Sequence, residues 1–297
     1  MLKESENKVK IEGILSEVDL APKTFNKNGQ TVDAIGGVIK VRVNQKIDGK
    51  DTELEIPIHM FAAKYTNAGA PNPAYESISR IQNEYTSIAA GGIDRADRVR
   101  ITNAKIAMNE YYGQNGNLIS FPRITASFVN KIRKDECKPE AKFTANIVIG
   151  KMAYETDADG VETDTFKIVG FLPQFGGKVD VVPFYTRSKN VIDGISGFWK
   201  EGDTVTAIGK LNFTSRTETT TVEVAFGEPT EKTRTITVSE LLITGGSDPL
   251  DGEFAIDNDE IKNALAERKA RLDALKDRGA KAPAQKPATS KFADLGF

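Results

Sequence analysis

Two similar stretches of sequence decide the fold of this chain: Gly202-Asp203-Thr204-Val205-Thr206-Ala207-Ile208-Gly209-Lys210-Leu211 and, in the first half, Ala96-Asp97-Arg98-Val99-Arg100-Ile101-Thr102-Asn103-Ala104-Lys105-Ile106. Each begins at a turn that contains an aspartate. Each continues with alternating apolar and polar residues, which is typical of a strand with one buried face. The repetition indicates that the chain contains two copies of one structural plan.

Period-two alternation predicts five strands in each half of the chain. In the first half these are Val9–Leu20, Val38–Val43, Glu53–Phe61, Arg98–Met108 and Ile119–Ile132. After a connector at Lys134–Glu140 the second set is Lys142–Tyr154, Thr165–Phe171, Lys178–Phe184, Thr204–Phe213 and Lys232–Thr244. Helical or mixed periodicity precedes each fourth strand, at Ala74–Ala89 and Ser188–Trp199. This order predicts a mainly β chain with two tandem OB-fold barrels, each a five-strand Greek key.

Glycines and turn residues fit the same plan. Gly13 and Gly150 fall inside the first strand of each copy, where a small barrel has to bend, although a glycine at a strand end is the simpler alternative. Four pairs are typical of hairpin turns, namely Asn28-Gly29, Asp48-Gly49, Asn115-Gly116 and Asp159-Gly160. We therefore predict one OB-fold domain at 1–133, a second at 140–246, and a C-terminal region at 247–297.

Composition excludes several classes of protein. The 297 residues are 39% hydrophobic and 28% charged, and no apolar run approaches the ~20 residues of a membrane-spanning helix. Met1–Lys8 lacks the features of a signal peptide, so a cytoplasmic location is expected, in the host if a phage encodes the protein. With Cys137 as the only cysteine and His59 as the only histidine, we expect no disulfide, metal site, cofactor or catalytic activity. The net charge of -2 means that any DNA site is a local patch.

A family resemblance follows from the passage Phe198-Trp199-Lys200-Glu201 together with Gly202 to Leu211. It resembles the turn into the fourth strand of bacterial and phage single-stranded DNA-binding proteins, and Ile101–Ile124 resembles the same region more loosely. The resemblance implies an OB fold whose fourth and fifth strands form a hairpin that reaches along the DNA. OB barrels that bind RNA or proteins carry similar sequences, so the fold follows more directly than the ligand.

Binding an unpaired strand requires aromatic faces for the bases and cations for the phosphates. In the first copy the predicted DNA-binding residues are Lys105, Tyr111, Tyr112, Phe121 and Arg123. In the second copy they are Lys151, Phe171, Phe175, Lys178, Tyr185, Arg187 and Arg216. The alternative is that the rings fill the barrel cores and the cations are ordinary solvated residues. For Trp199, core packing is the preferred interpretation.

The C-terminal region changes in composition after Gly245-Gly246. An acidic segment is followed by apolar residues at helical spacing, which predicts a helix over 258–278 with Asp257 as its N-cap. The composition of Ala280–Ser290, rich in Ala, Pro and Lys, predicts a flexible linker before Lys291–Phe297. This ending is similar to the tips of bacterial single-stranded DNA-binding proteins, which dock replication and repair enzymes. The resemblance implies a docking role for Phe292, Asp294, Leu295 and Phe297; a frayed terminus without a partner is the alternative.

These observations predict a sequence-tolerant single-stranded DNA-binding protein of phage replication or recombination. Its tail would dock a phage or host polymerase, helicase, primase or recombinase. The alternative is an OB-fold protein-interaction or virion-assembly module that does not bind nucleic acid, which the near-neutral charge favours. Aspartates such as Asp97 and Asp203 have a sufficient structural role in their turns, so an enzyme is the third reading.

Overall fold

The computed structural model describes the backbone of residues 2–113, 115–157, 159–222 and 230–281. Within these ranges the chain is mainly β with a C-terminal helix, as predicted. The strands of the first half are β1 (Asn7–Lys27), β2 (Gln30–Ile47), β3 (Lys50–Ala63), β4 (Arg98–Tyr112), β5 (Leu118–Thr125) and β6 (Asn130–Ile132). Those of the second half are β7 (Glu140–Thr156), β8 (Glu162–Gln174), β9 (Lys178–Thr186), β10 (Thr204–Val222) and β11 (Thr230–Gly246). The helices are α1 (Pro73–Glu84), α2 (Ile88–Gly91), α3 (Lys189–Phe198) and α4 (Asn258–Lys281).

Strand pairing in each half follows a closed circuit. In the first half β1 pairs with β2, β2 with β3, β3 with β5, β5 with β4, and β4 with β1 again. The second half repeats the order through β7, β8, β9, β11 and β10, which returns to β7. Among the described strands the third pairs with the fifth in parallel, and the other pairings are antiparallel. Helices α1 and α2 separate β3 from β4, and α3 separates β9 from β10.

The alternation in β3 shows how the sequence sets the two faces of a strand. Ile56, Ile58 and Met60 are buried, whereas His59 is half-buried and Phe61 is exposed. Because successive side chains of a strand point to opposite faces, the apolar set packs in the core and the other set faces outward. The outward face of β3 therefore carries an imidazole and an aromatic ring.

Two of the four predicted turns have positive φ at both residues, and at Asn115-Gly116 and Asp159-Gly160 the glycine has it. Asn28 and Gly29 have φ values of 52° and 83°, and Asp48 and Gly49 have 47° and 79°. Positive φ at both central residues is what a two-residue hairpin with matching twist requires. The strand irregularity expected at Gly150 is also present, since the β7–β8 register shifts between Ile149 and Met152.

Most strands, and helix α4, extend beyond their predicted bounds, and two predicted elements are divided. The helix expected at Ala74–Ala89 divides at Tyr85, because the Asp97 carboxylate accepts a hydrogen bond from the backbone N–H of Thr86 at 2.8 Å. The strand expected at Ile119–Ile132 divides into β5, which ends at Thr125, and β6 at Asn130–Ile132, because its pairing with β4 is interrupted between Lys105 and Arg100.

The two halves are joined by strand pairing and by a pair of glutamines. β1 runs antiparallel to β7, from Asn7 opposite Ala145 to Glu12 opposite Glu140. Gln45 at the end of β2 donates to Leu211 O on β10 at 3.0 Å. Gln174 at the corresponding end of β8 donates to Ile106 O on β4 at 3.0 Å. Each half thus reaches the fourth strand of the other half in the same way.

Helix α4 begins with the predicted cap, since Asp257 Oδ1 accepts from the backbone N–H of Asp259 at 2.8 Å. Ile261 and Ala264 pack with Leu2 and with Val148 and Val179 of the second half, all five residues being buried. Farther along, Arg268 forms an ion pair with Glu110 of β4. The helix therefore contacts both halves.

Trp199 packs in the core, as its position before a turn predicted. The side chain is buried, and its indole N–H donates to Ser247 O at 2.9 Å. The turn residues Asp97 and Asp203 also have the structural role expected of them, since each carboxylate accepts a backbone N–H.

Glu12 is a buried carboxylate at the junction of β1, β4 and the connector between the halves. It accepts from Arg100 at 2.8 and 3.2 Å and from the backbone N–H of Lys138. The hydrogen bond from Arg100 is the main cause that holds the pKa of Glu12 below its ordinary value, and the Lys138 bond acts in the same direction against desolvation. The ionised form therefore stabilises the folded state.

We expect Glu12→Gln to lower the free energy of unfolding by about 2 kcal/mol at pH 7, because charge-assisted hydrogen bonds to a buried group are lost. Urea denaturation measures this change, with Glu201→Gln at an exposed turn as the control. Since the folded pKa is depressed, the stabilisation exists above the ordinary glutamate pKa of about 4.3 and is lost as the pH falls through the folded pKa. A wild-type advantage that persists unchanged in strong acid would contradict this account.

Candidate nucleic-acid interface

The hairpin of β4 and β5 carries one continuous outward face. In an antiparallel hairpin, the side chains of two directly opposite residues point to the same face of the sheet. Every second cross-strand pair along the hairpin shares that face. The cross-strand pairs on this face are Lys105 with Thr125, Ala107 with Arg123, Asn109 with Phe121, and Tyr111 with Ile119. The structure therefore brings together four of the predicted residues, Lys105, Tyr111, Phe121 and Arg123.

Two aromatic rings stand exposed at the far end of this face. Tyr111 and Phe121 are 45% and 38% exposed, and their ring centroids lie 6.4 Å apart in an edge-to-face arrangement of 89°. Such pairs fix the orientation of both rings. The rings are thus held in place while much of their surface remains open to solvent.

At the end of the face that carries Lys105 and Thr125 there is a cavity of about 490 Å³, which we name the His59 groove. It is lined by His59 and Phe61 of β3, Lys105 of β4, Arg123 and Thr125 of β5, and Phe128 beyond β5. Phe61 and Phe128 are 55% and 51% exposed. The groove therefore combines two open aromatic rings with two cations and an imidazole.

Phe61 is held in position by the neighbouring strands. Its ring lies over Gly36 of β2, where a Cβ atom would come within 2.9 Å of Phe61 Cδ2. Phe25 of β1 packs against it at a centroid distance of 5.6 Å. The absence of a side chain at Gly36 is what allows the ring to lie close to the sheet.

The two cations of the groove differ in their partners. Lys105 forms an ion pair with Glu4. Among the described residues no carboxylate lies within ion-pair distance of Arg123; its Nη1 donates to Asn109 Oδ1 at a long 3.4 Å, and its buried Nε has no hydrogen-bond partner. Burial and, second, the charge of Arg123 lower the pKa of His59. At neutral pH the groove therefore holds a neutral imidazole beside an incompletely satisfied guanidinium.

Tyr112 lies on the other face of the hairpin, opposite Leu118. Lys276 of α4 stands 6.0 Å from the centre of its ring. Tyr112 is therefore separated from the face that carries Tyr111 and Phe121, although the two tyrosines are adjacent in sequence.

In the second half the predicted residues are dispersed. Lys151 lines a shallow cavity of about 380 Å³ with Tyr154 and Lys167. Phe171 packs half-buried against the cluster of Leu2, Val148, Val179, Ile261 and Ala264. Phe175 is 81% exposed at the tip of the β8–β9 hairpin, and Lys178 begins β9 beside it. These four residues do not form one face.

Tyr185 in β9 and Arg187 directly after it both contact neighbouring side chains. Tyr185 is half-buried with Lys167 Nζ 5.7 Å from its ring centre, and burial followed by Glu155 and Glu240 raises its pKa. The Arg187 guanidinium donates to both carboxylate oxygens of Glu240 at 3.1 and 2.6 Å. These contacts hold both side chains half-buried against the protein.

Two further predictions concern side chains that lie outside the described residues. Arg216 lies in β10 opposite Ile236, and its side chain is outside the described residues. The proposed docking residues Phe292, Asp294, Leu295 and Phe297 also lie outside them.

The sequence interpretation missed His59, Phe61 and Phe128. A usable signal existed for the first two, because Ile56, Ile58, Met60 and Ala62 form an alternating buried set that leaves positions 59 and 61 outward. Phe128 carries no such signal, since it lies between β5 and β6 and its exposure depends on the path of that loop.

The chain matches the YorF family over residues 5–278 and belongs to it. Among solved structures it is similar to the wild-type single-stranded DNA-binding protein from Thermus aquaticus, with a TM-score of 0.46 and 9% identity over 84% of this chain and 96% of that one. A deletion mutant of the Thermus protein gives a TM-score of 0.44 and 9% identity over 84% and 97% of the two chains. No curated protein matches the chain in sequence.

None of the helices in the described ranges has the length and apolarity needed to cross a bilayer. In the same part of the chain no group of three or more His, Cys, Asp or Glu side chains is arranged to hold a metal ion.

The single histidine makes the electrostatics of the groove measurable. We expect an NMR titration to place the His59 imidazole pKa below its ordinary value of about 6.5. Arg123→Ala is expected to raise that pKa, because removing a nearby positive charge favours the protonated ring. Arg80→Ala on exposed α1 serves as the control. A His59 pKa that does not respond to Arg123→Ala would show that the two groups do not interact.

Proposed function

We propose that this chain binds single-stranded DNA without reading its sequence. The observation that carries the proposal is the continuous face of β4 and β5, which joins the cations Lys105 and Arg123 to exposed aromatic rings. Sequence-independent binding of a single strand needs these two components, a basic track for the backbone and aromatic platforms for the bases.

The proposed strand follows the face from the His59 groove to the end of the β4–β5 hairpin. Phe61, Phe121 and Tyr111 supply surfaces on which bases stack, each worth about 1–3 kcal/mol. Arg123 supplies donors that have no carboxylate partner among the described residues, so a phosphate can engage them without breaking an ion pair. Lys105 can exchange Glu4 for a phosphate at an exposed position where ion pairs are weak.

The strand order supports an OB-type architecture for both halves. A five-strand circuit with a helix between the third and fourth strands is the OB plan, which frequently serves nucleic-acid binding. We propose on this basis that each half is an OB barrel and that the two are arranged in tandem.

The charge distribution suits a local site. With a net charge of -2, the chain as a whole does not attract DNA. Many of the described lysines and arginines form ion pairs with carboxylates, as Lys10, Arg100 and Arg187 do. Affinity would therefore come from few phosphate contacts together with stacking. We also propose that the chain acts by binding and not as an enzyme, since Asp97 and Asp203 are used as acceptors for backbone N–H groups.

The binding proposal is tested by titrating labelled oligo-dT and duplex DNA. We expect Phe61→Ala to weaken single-strand binding by about five- to 150-fold, the loss of about 1–3 kcal/mol for one stacked base. Arg123→Ala is expected to reduce the slope of log affinity against log salt by about 0.7, the value for one phosphate contact on a single strand.

Phe254→Ala is the matched control, because Phe254 is a similarly exposed phenylalanine far along the chain, between β11 and α4. Equal affinity of wild type for duplex and single strand would argue against a stacking mechanism. Absence of any complex at micromolar protein would instead favour a protein-interaction or virion-assembly module.

We further propose that the protein acts in phage DNA replication or recombination, in the cytoplasm of the host, and that residues 282–297 dock a partner enzyme. This rests on the resemblance of the ending Lys291–Phe297 to the tips of bacterial single-stranded DNA-binding proteins. A chain that ends at Lys281 is expected to keep its affinity for oligo-dT and to lose binding to a purified polymerase, helicase, primase or recombinase. A matched Phe297→Ala variant that still binds such an enzyme fully would remove the docking role of the terminal ring.

A further inference from the structure

The second half contains a counterpart of the His59 groove. In the first half the groove lies across the third, fifth and fourth strands at His59, Thr125 and Lys105. In the second half a cavity of about 380 Å³ lies across the same three strands and is lined by Thr186 at the end of β9, Thr244 and Lys210, with Arg187 directly after β9. Thr125 Oγ1 and Thr244 Oγ1 each donate at 3.4 Å to a carbonyl of the fourth strand, at Lys105 and Ile208.

The second groove has an additional wall, which the first half provides. Lys46, Ile47, Asp48 and Gly49, at the tip of the β2–β3 hairpin, line this cavity together with the residues of the second half. Asp48 Oδ2 lies 3.4 Å from Arg187 Nη1, and Lys210 Nζ donates to Lys46 O at 3.0 Å. The side chain of Ile47 is buried. The hairpin tip thus contacts both cations that the second half contributes to this groove, Arg187 and Lys210.

Within the described part of the chain the reverse contact is absent, because the equivalent hairpin is shorter. Gln45 and Gln174 occupy equivalent positions at the ends of β2 and β8. Residues 46–51 separate Gln45 from its cross-strand partner Thr52, whereas only residues 175–177 separate Gln174 from Lys178. The β8–β9 tip does not contribute to the lining of the His59 groove.

The cations of the two grooves are consequently in different states. Arg187 donates to Glu240, to Asp48 and, through Nε, to Thr165 Oγ1 at 3.1 Å. Its donors are therefore used within the protein, and a phosphate would have to replace two carboxylates. Arg123 in the first groove has one long hydrogen bond and a buried Nε without a partner.

We propose that the tip of the β2–β3 hairpin is an internal plug, and that each chain presents one groove, that of the first half, to the strand. The second half then serves as a support whose binding surface is occupied by its neighbour. This inference rests on the proposed function, since it names which of two related grooves the single strand enters.

Lys105 and Lys210 are equivalent because they precede Ile106 and Leu211, whose carbonyls accept from the two glutamines, and they provide the matched test. Lys105→Ala is expected to weaken oligo-dT binding about tenfold, the size of one charge-assisted contact, and Lys210→Ala is expected to leave it unchanged. A short oligo-dT is expected to bind with a stoichiometry of one per full-length chain. Ultraviolet cross-links, located by mass spectrometry, are expected at the His59 groove and the β4–β5 face and not at residues 185–188.

A second variant tests the plug directly, with residues 46–51 replaced by the three-residue turn Phe-Gly-Gly of the other hairpin. If circular dichroism shows it folded, a stoichiometry of two supports the plug, and a stoichiometry of one overturns it. If it does not fold, the lysine pair and the cross-links decide.

Equal losses for Lys105→Ala and Lys210→Ala, or two equivalent sites in wild type, would overturn the plug and leave the proposed function intact. No binding by wild type or any variant would overturn the proposed function and the plug with it.

Discussion

The antiparallel pairing of β1 with β7 is the interaction on which the remaining architecture depends. β1 and β7 are the first strands of the two circuits, so their pairing fixes one half against the other through backbone hydrogen bonds. Backbone pairing specifies register along its whole length and tolerates little sliding where the inner face is buried. Once this pairing is fixed, Gln45 and Gln174 each donate a hydrogen bond to the fourth strand of the other half. Helix α4 then packs against both halves.

The two halves of the molecule are similar in strand order but differ locally in their loops. Two copies of one plan meet through equivalent contacts, but loops of different length on equivalent hairpins give the two sides different surfaces. Three additional residues are enough to bring a carboxylate to Arg187 and a backbone carbonyl to Lys210. Repetition of a strand order therefore does not give the two halves the same surface.

The sequence predicts the strands well because each strand has one buried and one exposed face, which the alternation records directly. The turns at Asn28-Gly29 and Asp48-Gly49 and the helix α4 follow equally from local chemistry. The shared face of Tyr111, Phe121 and Arg123 also follows once the hairpin register is known. In contrast, the engagement of Arg187 by Glu240 and Asp48, and the packing of Phe171 near α4, depend on contacts between distant segments that no local pattern encodes.

The placement of Trp199 has a practical consequence for spectroscopy. It is the only tryptophan of the chain, it is buried in the second half, and its N–H is held by Ser247 O. Intrinsic fluorescence excited at the indole band is therefore a local gauge of the integrity of the second half. A ligand that enters the His59 groove in the first half would change the Trp199 emission little. A fluorescent dye on the ligand is therefore the more informative optical signal.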